Sequence, residues 1–219
     1  MRTAGEIYAE YRIMPSLQLH QLRVAAVAKM ICDNLIVPVD SRTVVLAAIL
    51  HDMGNILKFD LTVFPESVQP EGLEYWKTVK ADFEKKYGTD QHAASLAIAK
   101  ELGLSEEVQK CIDSVAFAKA EEVRDASSIE QKICEYADSR VAPHGIVPMD
   151  ERLEEGRKRY LNRTVETGLA AARARFDALK KAEEDIERDI FSHSRIQSTD
   201  ITDAATAPLI EELRKYPVA

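Results

Sequence analysis

The ten residues LAAILHDMGN, at positions 46–55, join a run of small and branched apolar residues to the doublet His51–Asp52. The apolar run predicts a buried helix that begins near Asp40 or Ser41 and stops at Gly54. A histidine and an aspartate at the end of a buried helix cost free energy unless another group compensates them. The doublet therefore predicts a partner or a ligand at this end of the helix.

The composition is that of an ordinary globular protein, with 219 residues, of which 46% are hydrophobic and 30% charged. The net charge is -8 and there is no long basic block, which argues against duplex nucleic acid and anionic membranes as partners. We find no secretory leader and no apolar run of about 18 residues that would span a membrane. Because the three cysteines also stand singly, with no CxxC pair, we expect a cytoplasmic protein.

Apolar residues recur at helical spacing along most of the chain. The first such stripe, with Gln21 placed off it, consists of Leu17, His20, Val24, Val27 and Ile31. A loop of about 15 residues is predicted to begin at Ile56, and further helices are predicted between residues 73 and 141. No segment alternates convincingly with a period of two, so the predicted fold class is all-α.

The last third of the chain is more charged. Residues 150–190 predict one long helix, and a short closing helix follows at 207–216. We therefore divide the chain into a domain at residues 1–148 and a long carboxyl-terminal helical extension at 149–219. The extension is expected to pack on its own domain. The alternatives are pairing with a second copy, which would make a homodimer, and capping of the active site.

Three predicted helices carry metal-binding residue types on faces expected to be buried. His20 lies on the first, His51 and Asp52 end the second, and Asp138 lies on a later one. A lone buried histidine is more often bonded to a carbonyl, but two imidazoles and two carboxylates around a divalent cation would leave a nearly neutral site. This mixed set of nitrogen and oxygen ligands suits Mn, Fe, Co, Ni or Zn, and it also allows Mg.

These residues resemble the motif of the HD-domain superfamily of metal-dependent phosphohydrolases. The segments LHQLRVAAVA, AAILHDMGN and EYADSRV carry the resemblance, which covers roughly residues 15–145. It implies a compact helical bundle in which one divalent metal ion is bound by His20, His51, Asp52 and Asp138. It also implies that a water activated by the metal attacks a small phosphorylated substrate, such as a nucleotide or a similar phosphate ester.

Four basic residues are candidates for binding the substrate. Arg23 lies one helical turn after His20, and Arg140 lies just beyond the last predicted ligand, so both could hold phosphate. Lys58 and Lys77 belong to the loop and helix that would enclose a substrate. The alternative for each is a solvated side chain or one paired with a nearby carboxylate.

The candidates for catalysis are Asp52, Arg23 and His92. Asp52 could hydrogen-bond the attacking water, and His92 could be a general acid, could support another residue, or could have no chemical role. Many superfamily members carry Lys or Glu three residues after the doublet, where this chain has Asn55. Members with two metals have two further histidines, and SVAFAKA lacks the second, so we predict a single metal ion.

The preferred hypothesis is a phosphohydrolase, and two alternatives stay open. The first is a non-catalytic or weakly catalytic metal-containing HD module that senses a nucleotide or mediates interactions, which the uncharged Asn55 favours. The second is a helical interaction protein in which the long charged helix is the functional part and the metal site is structural.

Overall fold

The computed structural model describes residues 1–63, 68–126, 128–162 and 168–219. Within these residues it contains eleven α-helices and one two-stranded antiparallel hairpin, so the all-α prediction is confirmed. The helices are α1 (Ala4–Glu10), α2 (Pro15–Asn34), α3 (Ser41–Leu50), α4 (Leu73–Tyr87), α5 (Gln91–Glu101), α6 (Glu106–Ser114), α7 (Ala120–Ala126), α8 (Ile129–Ser139), α9 (Met149–Asn162), α10 (Leu169–Ser192) and α11 (Asp203–Arg214). The hairpin pairs β1 (Val141–Ala142) with β2 (Gly145–Ile146).

Helices α2 and α3 form the centre of the bundle. Every side chain from Thr43 to Leu50 in α3 is buried, as are all those from Val24 to Ala28 in α2. Because both helices are apolar around most of their circumference, other helices can surround them, and α2 contacts α3, α8 and α11. Nevertheless, no helix in the described part of the chain has the length and apolar character needed to cross a bilayer.

Capping residues set the helix boundaries much as predicted. Asp40 begins α3 by accepting a hydrogen bond from the Thr43 N–H at 3.1 Å, and Asp90 caps α5 in the same way. Gly103 follows α5 with a φ of 70°, a left-handed conformation that glycine adopts without strain.

The predicted loop after the doublet was wrong at its start, where a 3-10 helix spans Asn55–Lys58. Its residues 64–67 lie outside the described residues.

The prediction of one long helix at residues 150–190 was wrong. Helix α9 folds back against α10, so that Lys180 Nζ lies 3.0 Å from a carboxylate oxygen of Asp150. A straight helix would separate these residues by about 45 Å. The rings of Tyr160 and Phe176 also meet, with centroids 5.6 Å apart. The fold-back buries apolar side chains that a single extended helix would leave in water, and residues 163–167, which connect the two helices, lie outside the described residues.

The extension covers the outer face of α8. Helix α10 packs on α7 and α8, and α11 packs on α2. Ser139 Oγ in α8 donates a hydrogen bond to Glu183 in α10 at 3.1 Å, and the Tyr136 hydroxyl donates to Glu187 at 2.8 Å. Residues 149–219 therefore support the helix that carries Asp138. The domain boundary at 148 stays a prediction.

Candidate metal centre

The doublet lies on a tight turn that α5 holds in place. Helix α3 ends at Leu50, His51 keeps helical backbone angles, and the chain then turns into the 3-10 helix. The Gly54 N–H donates a hydrogen bond to Ser95 Oγ at 2.9 Å. A Cβ at Gly54 would lie only 2.2 Å from the carbonyl oxygen of Gln91, so only glycine allows α5 to approach this closely.

The structure brings all four predicted metal ligands together. Asp138 Oδ1 lies 3.0 Å from Nε2 of His20 and 3.4 Å from Nε2 of His51. Asp52 Oδ2 lies 3.5 Å and 3.6 Å from the same two nitrogens. The ligand atoms of His20, His51 and Asp52 all lie within 4.8 Å of one another, an arrangement that could hold a metal ion. Their role as ligands stays a prediction.

The hydrogen bonding of His51 fits a metal ligand. Nδ1 lies 2.8 Å from the carbonyl oxygen of Ala48, and since a carbonyl can only accept, Nδ1 must carry the proton. In the neutral ring this leaves a lone pair on Nε2. That atom is buried and makes no hydrogen bond with any described residue. A buried lone pair that faces two carboxylates and a second imidazole is compensated by a cation.

The electrostatics of the cluster also favour a cation. Burial alone would lower the pKa of His51, but the carboxylates of Asp52 and Asp138 raise it to about 9. Burial opposes ionisation of Asp138, yet the two imidazoles hold its pKa well below its ordinary value. The carboxylates thus attract positive charge to this point, which a proton supplies when no metal is bound.

Comparison with known proteins supports the same conclusion. A family model described as HD domain matches residues 18–142, more than half of the chain. The chain belongs to the HD domain family. The matched region contains all four predicted ligands, and the resemblance to metal-dependent phosphohydrolases is confirmed. Neither the curated proteins nor the solved structures yielded a match.

Two amides of this HD domain hold Asp52. Asn55 Nδ2 donates to Asp52 Oδ2 at 2.5 Å, so the residue that departs from the family pattern orients a predicted ligand. The Asp52 N–H donates to Gln21 Oε1 at 3.3 Å. The prediction that Gln21 lies off the buried face was wrong, because this side chain is fully buried. The following run VAAVA was the available signal, since it indicates a helix buried on all sides.

Arg23 lies on the same helix as His20, one turn away, and is half-buried. Its Nε is buried without a hydrogen-bond partner, and it forms no ion pair with any described residue. A partly buried guanidinium without a carboxylate partner is typical of a site that receives an anion. The proposed phosphate contact at Arg23 stays a prediction.

The predicted substrate contact at Arg140 was wrong. This side chain is only 3% exposed, and its guanidinium donates to the carbonyl oxygens of Val147, Ser198 and Ile201 and to the hydroxyl of Tyr136. The three bonds to carbonyl oxygens therefore join the end of α8 to the residue that follows the hairpin and to the extension. The sequence placed Arg140 close to Asp138, but the end of α8 turns its side chain towards these structural partners.

Lys58 and Lys77 do not belong to the metal cluster, but both line one cavity, to which Lys80 also contributes. His92 likewise lies outside the cluster. Its Nε2 lies 2.9 Å from Asp113 Oδ1, and Lys119 Nζ lies 2.8 Å from the other oxygen of Asp113. Burial opposes ionisation of Asp113, but Lys119 and His92 lower its pKa. Asp113 and Lys119 were not predicted from the sequence, because they meet His92 only through folding.

Proposed function

We propose that this HD domain hydrolyses a nucleotide or a similar small phosphate ester, with one divalent metal ion bound by His20, His51, Asp52 and Asp138. The observation that carries the proposal is the buried Nε2 of His51, which makes no hydrogen bond with any described residue and faces the other three side chains. Membership of a family of metal-dependent hydrolases supports the same assignment.

Each residue near the centre has a chemical task in this proposal. The metal, when bound, would lower the pKa of a water and polarise the phosphoryl oxygen. Asn55 holds Asp52 through Oδ2, so Oδ1 remains to orient the attacking water. Arg23 supplies a positive charge to the phosphoryl oxygens, because no described carboxylate neutralises it.

His92 is the proposed general acid for the leaving oxygen. Its contact with Asp113 fixes the orientation of the ring, as a general acid requires. Lys119 Nζ in turn holds Asp113, because it donates hydrogen bonds to both the carboxylate and the carbonyl oxygen of Asp113. The arrangement can therefore present a proton from a fixed direction.

One observation favours the alternative, a metal-containing module that binds a nucleotide without turning it over. Asn55 is uncharged at the position where many superfamily members have an acid or a phosphate contact, and its amide is already bonded to Asp52. In that case the centre would bind metal and nucleotide, and no phosphate would be released.

The experiment that separates the two is the release of phosphate or pyrophosphate from mono-, di- and triphosphate nucleotides and cyclic dinucleotides, with Mn, Co, Ni or Mg. We expect turnover in the wild type and at least a hundredfold loss in Asp52→Asn, together with weaker metal binding. Asp33→Asn is the matched control, because this exposed residue lies on α2 and, among the residues that the structure describes, pairs with Lys29 alone. Metal binding without turnover would favour the sensing module, and full activity in Asp52→Asn would refute the site.

Two further parts of the proposal concern the cellular compartment and the assembly of the protein. The three cysteines are free and buried, which supports a reducing, cytoplasmic compartment. Pairing with a second copy stays a prediction, for which the mass of the protein in solution is the test.

A further inference from the structure

Three lysines line one cavity at the end of the 3-10 helix that follows the doublet. The cavity measures about 410 Å³ and is lined by Lys58, Lys77 and Lys80 together with Phe59, Asp60 and Leu61. We propose that it binds a second anionic group of the substrate, such as the part of a phosphate chain that the metal centre does not hold. The assignment to the substrate rests on the proposed function, whereas the binding of an anion does not.

The cavity is joined to the metal centre by one short element. The 3-10 helix Asn55–Lys58 begins with the residue that holds Asp52 and ends with a residue that lines the cavity. Such a helix rises about 2 Å per residue, so its first and last Cα atoms are about 6 Å apart. A single small molecule with two anionic groups can therefore contact both places.

The charges in the cavity are predominantly positive. Asp60 is the one acidic residue among the described residues that line it, and Oδ1 of Asp60 already accepts hydrogen bonds from the hydroxyl and the N–H of Thr62, at 2.6 Å and 3.0 Å. Within the described part of the chain, Lys58 forms no ion pair and Lys77 pairs only with Glu74. Exposed pairs of this kind contribute little. In a protein of net charge -8, such a local excess of positive charge favours an anionic ligand.

Two contacts hold the cavity walls, and neither of them uses Lys58 or Lys77. Lys80 Nζ donates to the carbonyl oxygen of Phe59 at 2.8 Å and so ties α4 to the segment after the 3-10 helix. Trp76 Nε1 in α4 donates to the carbonyl oxygen of Val68 at 3.1 Å. Lys80 thus has a structural part, and Lys58 and Lys77 are the residues that can turn to a ligand. The ligand class is a polyanion, with pyrophosphate and triphosphate groups as the closest match.

The test is calorimetric titration of the full chain with inorganic tripolyphosphate, at low ionic strength and with EDTA, so that no metal takes part. We expect the double variant Lys58→Gln/Lys77→Gln to bind about tenfold more weakly than the wild type. Lys100→Gln/Lys110→Gln is the matched control, because it removes the same charge from exposed positions on α5 and α6. The control should bind within about twofold of the wild type.

Equal weakening in the two double variants would overturn the proposal, because the effect would then come from net charge alone. A wild type that does not bind tripolyphosphate would overturn it as well. Measurements of turnover and of KM distinguish the anion site from the proposed hydrolase activity. Lysine-dependent binding without any turnover would refute the hydrolase and support the anion site. Turnover in which the lysine variant leaves the KM for a triphosphate nucleotide unchanged would refute the subsite and leave the hydrolase standing.

Discussion

Glu135 in α8 and Glu183 in α10 form a buried pair of carboxyl groups, which are 1% and 0% exposed. Burial raises the pKa of Glu183 from 4.5 to about 7, and burial together with the charge of Glu183 holds the pKa of Glu135 well above its ordinary value. The neighbouring acidic residues Asp138 and Glu187 act in the same direction on Glu183. We predict that Glu183→Gln makes the protein more stable at pH 8 but not at pH 5.

The sign follows from proton linkage. A carboxyl group whose pKa is raised by folding stabilises the protein below its unfolded pKa, near 4.5, and this contribution is lost as the pH rises through about 7. A rise of the pKa from 4.5 to about 7 corresponds to about 3 kcal/mol, since each tenfold change in proton affinity is worth about 1.4 kcal/mol. Glutamine cannot ionise, and its oxygen can still accept the hydrogen bond from Ser139.

The assay is urea denaturation of the full chain with EDTA at pH 5, 6, 7 and 8. We expect the free energy of unfolding of Glu183→Gln to exceed that of the wild type by about 2–3 kcal/mol at pH 8 and by less than about 1 kcal/mol at pH 5. Glu184→Gln, on the same helix but partly exposed, is the control and should show no such trend. A difference between Glu183→Gln and wild type that does not change with pH would refute the reasoning.

Three further predictions concern the metal centre and its support. With a pKa of about 9, His51 holds a proton in the metal-free protein, so metal affinity should fall about tenfold per pH unit from pH 9 to 7, and a flat titration would contradict this. Gln21→Leu removes the acceptor of the Asp52 N–H and should weaken metal binding about tenfold or more. A metal titration measures this, and an unchanged metal affinity would contradict the prediction. Arg140→Met removes a hydrogen-bond donor from four oxygens and should lower the free energy of unfolding by about 3 kcal/mol, and a loss below about 1 kcal/mol would argue against a structural role.

The sequence predicted the site best at positions whose burial follows from helical spacing. The stripe through His20 and the apolar run before His51 place both imidazoles on inward faces, and Asp138 follows a third apolar stripe. Because buried charge requires compensation, these positions predict a shared site, and the structure places the four side chains together. Caps such as Asp40 and Asp90 are equally local, since they bond to backbone N–H groups two or three residues ahead.

Other features depend on contacts between distant segments, and the sequence could not decide them. The spacing of apolar residues is the same in one long helix as in a helical hairpin, so only the contact of Lys180 with Asp150 distinguishes α9 and α10. Arg140 is next to a metal-binding segment in sequence, yet its partners lie as far away as Ile201. The sequence by itself determined the fold class and the predicted ligands, because periodicity and the cost of buried charge act within single helices. The tertiary structure alone decided the structural role of Arg140 and the cavity with three lysines, because each depends on which elements meet.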